Sequence, residues 1–141
     1  MNRKASAIWQ GGLKDGKGAI STESGVLSQT QYSFGTRFEN GKGTNPEELV
    51  AAAHAGCFSM ALSAELGKAG ITPASIETAA TVTLEKLDSG WTVSKVHLDV
   101  KAKIPGADPA AFNAAAETAK ANCPISKLLN ATITMQAALE K

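Results

Sequence analysis

Between residues 45 and 67 the chain reads NPEELVAAAHAGCFSMALSAELG. Asn45 can cap a helix by accepting backbone N–H bonds, and Pro46 suits the first helical position because it has no N–H to leave unpaired. Glu47 and Glu48 fall in the first turn, where negative charge opposes the positive end of the helix dipole. Gly67 and Gly70 offer stops. Within residues 49–62 the only clearly polar side chains are His54 and Ser59. A helix apolar on nearly every face is expected to be buried. Its small residues (Ala51, Ala52, Ala53, Ala55, Gly56, Ala61) let neighbouring backbones approach, and Cys57 stands in their midst.

The flanking segments read mostly as strands. Residues 4–10 (KASAIWQ) and 17–23 form an expected hairpin across the Gly11-Gly12 and Asp15-Gly16 turn signals. Residues 32–38 (YSFGTRF) place Tyr32, Phe34, Thr36 and Phe38 on one strand face, with Arg37 on the other. A glycine-rich connector, ENGKGT, leads into the helix and lacks the Walker phosphate-binding pattern. Beyond the helix, residues 76–87 and 91–104 form a long hairpin about Asp88-Ser89-Gly90. The parity of its apolar residues switches at Ser94-Lys95, which predicts a bulge or a strand buried differently along its two halves. Asp108-Pro109 opens a helix to about Ala121 with Phe112 facing in, and Cys123-Pro124 restarts a short one. Residues 131–139 make the last strand. This order predicts one α+β domain over residues 1–141. A chain of this size cannot easily cover both sides of the central helix and two long strands, so a homodimer is expected.

Composition narrows the function. Net charge is +1, with no basic run interleaved with aromatics, which argues against nucleic acid. The longest apolar run reads as too short and too Ala-rich to span a bilayer, and residues 1–10 lack a signal peptide's apolar core, so a cytoplasmic protein with no membrane partner is expected. The chain has two cysteines and two histidines without a close-spaced pair, which argues against structural zinc. In a reducing compartment, two cysteines so far apart are free thiols or a redox couple rather than a permanent staple.

Cys57 is either a small core residue or a nucleophile. Cys123, at a helix start before Pro124, has either a capping role or a thiol acidified by nearby N–H groups. Arg37 is one of only two arginines. It either snorkels to solvent or aims its guanidinium at a thiolate or oxyanion. A thiol of pKa ~8.5 is only about 3% ionised at pH 7, and a cation lowering that by ~2 units raises the fraction to roughly three quarters. Glu47 could orient the arginine through a bidentate pair, or simply complement the helix dipole. Ten helical residues, about 15 Å, separate Glu47 from Cys57, so a Glu47 serving Cys57 through Arg37 is expected from a partner chain. His54, one turn before Cys57, reads as structural, with a Cys57–His54 hydrolase as the catalytic alternative. His97 is expected to face solvent.

Two motifs then stand out together: TNPEELVAAAHAGCFSMAL at residues 44–62 and ANCPIS at residues 121–126. With WQGG, STESGVLS, TRFENGKGTNPEEL and ITMQ, the chain resembles the OsmC/Ohr family of thiol-dependent peroxidases along its whole length, and its OsmC branch in particular. The resemblance implies antiparallel sheets wrapped around long central helices in an intertwined homodimer. It implies reduction of organic hydroperoxides and of hydrogen peroxide, with no cofactor. Cys57 matches the peroxidatic cysteine, Cys123 the resolving one, and Glu47 the glutamate that pairs with the catalytic arginine. The Ohr branch carries that arginine in its N-terminal glycine-rich loop, which here holds none; Arg37 in TRFE fits the OsmC branch. A lipoylated protein or dihydrolipoamide is the implied thiol reductant. Phe34, Phe38, Phe58 and Met60 are the candidate substrate-pocket residues. The other readings left open are a redox-inert dimeric binding protein on the same fold and the hydrolase.

Overall fold

A computed structural model describes residues 1–140. Its contacts gather into two compact units, Met1–Leu49 and the chain from Val50 onward.

In the first unit β1 (Ala5–Gln10), β2 (Lys17–Thr22) and β3 (Thr30–Ser33) form an antiparallel sheet in that order. Trp9, Gly18 and Tyr32 are direct neighbours across it, and the two rings meet over the glycine at 5.4 Å. A Cβ on Gly18 would lie 2.3 Å from the Tyr32 ring, so only glycine fits between them.

The strand expected over residues 32–38 stops at Ser33 and turns into α1 (Phe34–Phe38). Local hydrogen bonding overrides the strand-like alternation. Ser33 Oγ accepts from the Thr36 N–H at 3.3 Å, and Thr36 Oγ1 accepts from the Ser33 N–H at 2.8 Å, a reciprocal capping box. Helical spacing then brings Phe34 and Phe38 into ring contact at 4.8 Å. Gly43 passes so close to this turn that a Cβ would meet Gln31 O at 2.7 Å, at a φ of +141° that side chains rarely adopt. Asn45 caps the long helix as expected, its Oδ1 accepting from the Glu48 N–H at 2.8 Å. Its Nδ2 donates to Thr36 O, tying α1 to that helix start.

The long helix is α2 (Pro46–Lys68). At 23 residues it is long and apolar enough to cross a membrane by length and composition alone, which corrects the expectation that the run is too short. Nor is it buried all round. Only the stripe His54, Phe58, Leu62 and Leu66, spaced four residues apart, is buried, while Met60 is 77% exposed.

In the second unit β4 (Ser75–Leu87) pairs antiparallel with β5 (Gly90–Lys103). Thr83 pairs with Lys95 and Leu84 with Val93, which leaves Ser94 as the extra residue of the expected bulge. β6 (Thr132–Glu140) lies parallel to β5. This sheet is therefore mixed, not antiparallel. The parallel pairing needs a crossover, supplied by α3 (Pro109–Asn122) and α4 (Pro124–Leu128). Asp108 caps α3 through the Ala111 N–H. Val96, Leu98, Val100 and Ala102 of β5 alternate inward to meet Phe58, Leu62 and Leu66 of α2 and Phe112, Ala116 and Ala119 of α3 in one core. Each large side chain buried there contributes about 1.5–3 kcal/mol.

Candidate active site

α2 carries Cys57 one residue before its buried stripe, and the α3–α4 junction carries Cys123. The two sulfurs lie 2.9 Å apart although 66 residues separate them, and both are free thiols. Cys123 is fully buried and donates its S–H to Cys57 Sγ; Cys57 is half-buried. Cys123 sits at the N-cap of α4 as expected, but its side chain makes no capping bond, because the sulfur faces Cys57 instead. Burial pushes the Cys57 thiol above its ordinary range, and the Cys123 hydrogen bond adds to this. The Ile125 backbone pulls the other way.

His54 is fully buried one turn earlier. Its Nε2 lies 2.7 Å from Ser126 Oγ on α4, and its Nδ1 has no hydrogen-bond partner. Neither ring nitrogen bonds a sulfur, and the Cys57–His54 dyad of a hydrolase is not formed. Burial holds the imidazole pKa below its ordinary 6.5. The folded chain therefore keeps His54 neutral where the unfolded chain binds a proton. That contribution to stability is fully present above pH ~6.5 and is lost as pH falls below it, by at most about 1.4 kcal/mol per pH unit. Urea unfolding from pH ~7.5 down to ~5 should show this loss, and His54→Gln should flatten the slope. His97, expected in solvent, is half-buried and bonded through Nδ1 to Thr134 Oγ1, its neighbour in the β5–β6 register, at 2.6 Å.

The first unit holds an ion pair. Arg37 Nη2 donates to Glu47 Oε1 at 2.7 Å, and its Nε lies 3.2 Å from both carboxylate oxygens. The capping box of α1 sets the arginine's position, and the Asn45 cap sets the glutamate's. The guanidinium carbon lies 5.2 Å from the Phe38 ring centroid. Beside it Trp9, Leu13, Tyr32, Phe34, Phe38 and Pro46 line a hollow of about 290 Å³ together with Arg37 and Ser33. Phe34 and Phe38 thus stand with the arginine. Phe58 belongs to the core and Met60 to the exposed face of α2, since a helix turn of 100° per residue sends the two in different directions. Sequence reasoning missed Trp9, Leu13 and Tyr32, whose convergence depends on strand register, and Ser126, whose partner lies 72 residues away.

Residues 39–138 match the family model described as OsmC-like protein. The chain is 53% identical to Peroxiredoxin OsmC of Escherichia coli over 135 residues, covering 96% of this chain and 94% of that one. The chain belongs to the OsmC family. It is also 33% identical to organic hydroperoxide resistance protein-like 2 of Staphylococcus epidermidis over 100 residues, covering 70% and 68% of the two chains. Among solved structures, the organic hydroperoxide resistance protein OhrB of Bacillus subtilis is similar in fold, with a TM-score of 0.70 at 25% identity, over 96% of this chain and 98% of that one. The α+β architecture of two small sheets and helices is thus the one OsmC and Ohr proteins share. No group of three or more potential metal ligands exists among the described residues.

Proposed function

We propose that this OsmC-family peroxidase reduces organic hydroperoxides, and hydrogen peroxide, through a Cys57–Cys123 redox couple. The observation that carries the reading is the 2.9 Å approach of the two free thiols. The Cys57 thiolate attacks one peroxide oxygen and the O–O bond breaks. The leaving alkoxide or hydroxide takes up a proton, and Cys57 becomes a sulfenic acid. Condensation with the Cys123 thiol releases water and forms a disulfide, which an external dithiol such as dihydrolipoamide or a lipoylated protein reduces to two thiols. The reaction needs no metal or organic cofactor.

Burial opposes ionisation of Cys57, so the thiolate calls for a cation. Arg37 is the residue suited to the task, held by Glu47 in a near-bidentate pair beside an apolar hollow able to take the organic group of a hydroperoxide. In a homodimer this pair, drawn from one protomer, would serve Cys57 of its partner. Support for a dimer comes from the apolar surface left open on the single chain, with Met60 of α2, Leu13 and Trp91 all exposed. Free thiols of this kind persist in the cytoplasm, where the protein would act in oxidative and osmotic stress defence.

Peroxide consumption with dihydrolipoamide or dithiothreitol tests the reading, with cumene hydroperoxide and hydrogen peroxide compared side by side. Cys123→Ser should retain a single turnover and then stall, with Cys57 accumulating as sulfenic and then sulfinic acid by mass spectrometry. Wild-type protein that consumes neither peroxide would overturn the proposal.

A further inference from the structure

Two side-chain hydrogen bonds join α2 to the segment that carries Cys123. One is the thiol–thiol contact itself, whose acceptor changes character when Cys57 is oxidised. The other is His54–Ser126, which lies one turn earlier on α2 and three residues beyond Cys123. α4 has only five residues and no side-chain cap, so little of its own structure holds it in place. A buried, neutral imidazole with one nitrogen committed to Ser126 and the other unpaired has no second partner to which it could switch.

We propose that His54 is a positioning residue for the resolving step. Through Ser126 it holds the Cys123–Ser126 turn against α2 after Cys57 has been oxidised, so that the Cys123 thiol stays in line with the sulfenic sulfur. The step it serves forms the S–S bond from Cys57–SOH and Cys123–SH and expels water, with no other reactant. The inference rests on the peroxidase reading above, and its test separates the two.

Each protein, fully reduced, receives one equivalent of hydrogen peroxide in the presence of dimedone. Dimedone competes with Cys123 for the sulfenic acid, and mass spectrometry reads the ratio of Cys57–Cys123 disulfide to dimedone adduct. The ratio is taken per sulfenic acid formed, so it does not depend on the speed of the first step. Ser126→Ala should lower it about fivefold, the effect of losing one hydrogen bond, and Ser126→Thr, which keeps the hydroxyl, should restore it. Thermal unfolding of the same variants accounts for any loss of stability, which by itself would leave the ratio alone. Ser126→Ala with a wild-type ratio overturns the positioning role while leaving the peroxidase intact. Wild-type protein that forms no disulfide overturns both.

Discussion

Replacing Cys57 by serine is expected to abolish peroxide consumption, a loss on the order of a thousandfold or more. A hydroxyl stays protonated at any working pH and has no sulfenic state, so both steps of the cycle lose their central atom. The fold should survive, because Cys57 is only half-buried and flanks the core stripe of α2 rather than filling it. Stopped-flow peroxide loss checks the activity and circular dichroism the fold. Residual turnover near the wild-type rate in a folded Cys57→Ser protein would move the chemistry away from this residue altogether.

Arg37→Ala should have the second largest effect, and its pH dependence distinguishes it from general damage. If the guanidinium lowers the Cys57 pKa by about 2 units, removing it cuts the thiolate fraction at pH 7 by roughly 20-fold, and the second-order rate with peroxide falls in proportion. The deficit should shrink at alkaline pH, as the thiol comes to ionise without assistance. Loss of the cation also leaves Glu47 unpaired at the start of α2, so Glu47→Gln is the companion variant. It keeps a hydrogen-bonding partner for the arginine while removing the charge, and its rate should lie between those of wild type and Arg37→Ala. A deficit that stays constant from pH ~6 to ~9 would show that Arg37 acts on something other than thiol ionisation.

Much of this was legible in the residues. Asn45-Pro46-Glu47-Glu48 announces the start of α2, and the Asp108 cap announces α3; both are local signals with a direct hydrogen-bonding cause. The parity switch in β5 located the bulge at Ser94 because side-chain alternation is itself the geometry of a strand. What failed depended on relations that no short window contains. Residues 32–38 alternate like a strand, yet the Ser33–Thr36 box outweighs that pattern. The direction of β6 follows from the crossover through α3 and α4, not from the strand's own composition. A helix as uniformly apolar as α2 does not reveal which stripe is buried, so Phe58 and Met60 could not be told apart. At the site, both cysteines and the Arg37–Glu47 pair were visible as residue types. Around Cys57 itself burial dominates and raises the thiol pKa. The His54–Ser126 bond left no trace in the sequence at all.

The most direct test of the redox couple is peptide mapping of the wild-type protein after one equivalent of cumene hydroperoxide, without added reductant. The structure's paired thiols predict loss of the mass of two hydrogen atoms and a single cross-linked peptide joining Cys57 to Cys123, reversed by dihydrolipoamide. Both cysteines recovered as free thiols, with the hydroperoxide unconsumed, would contradict it.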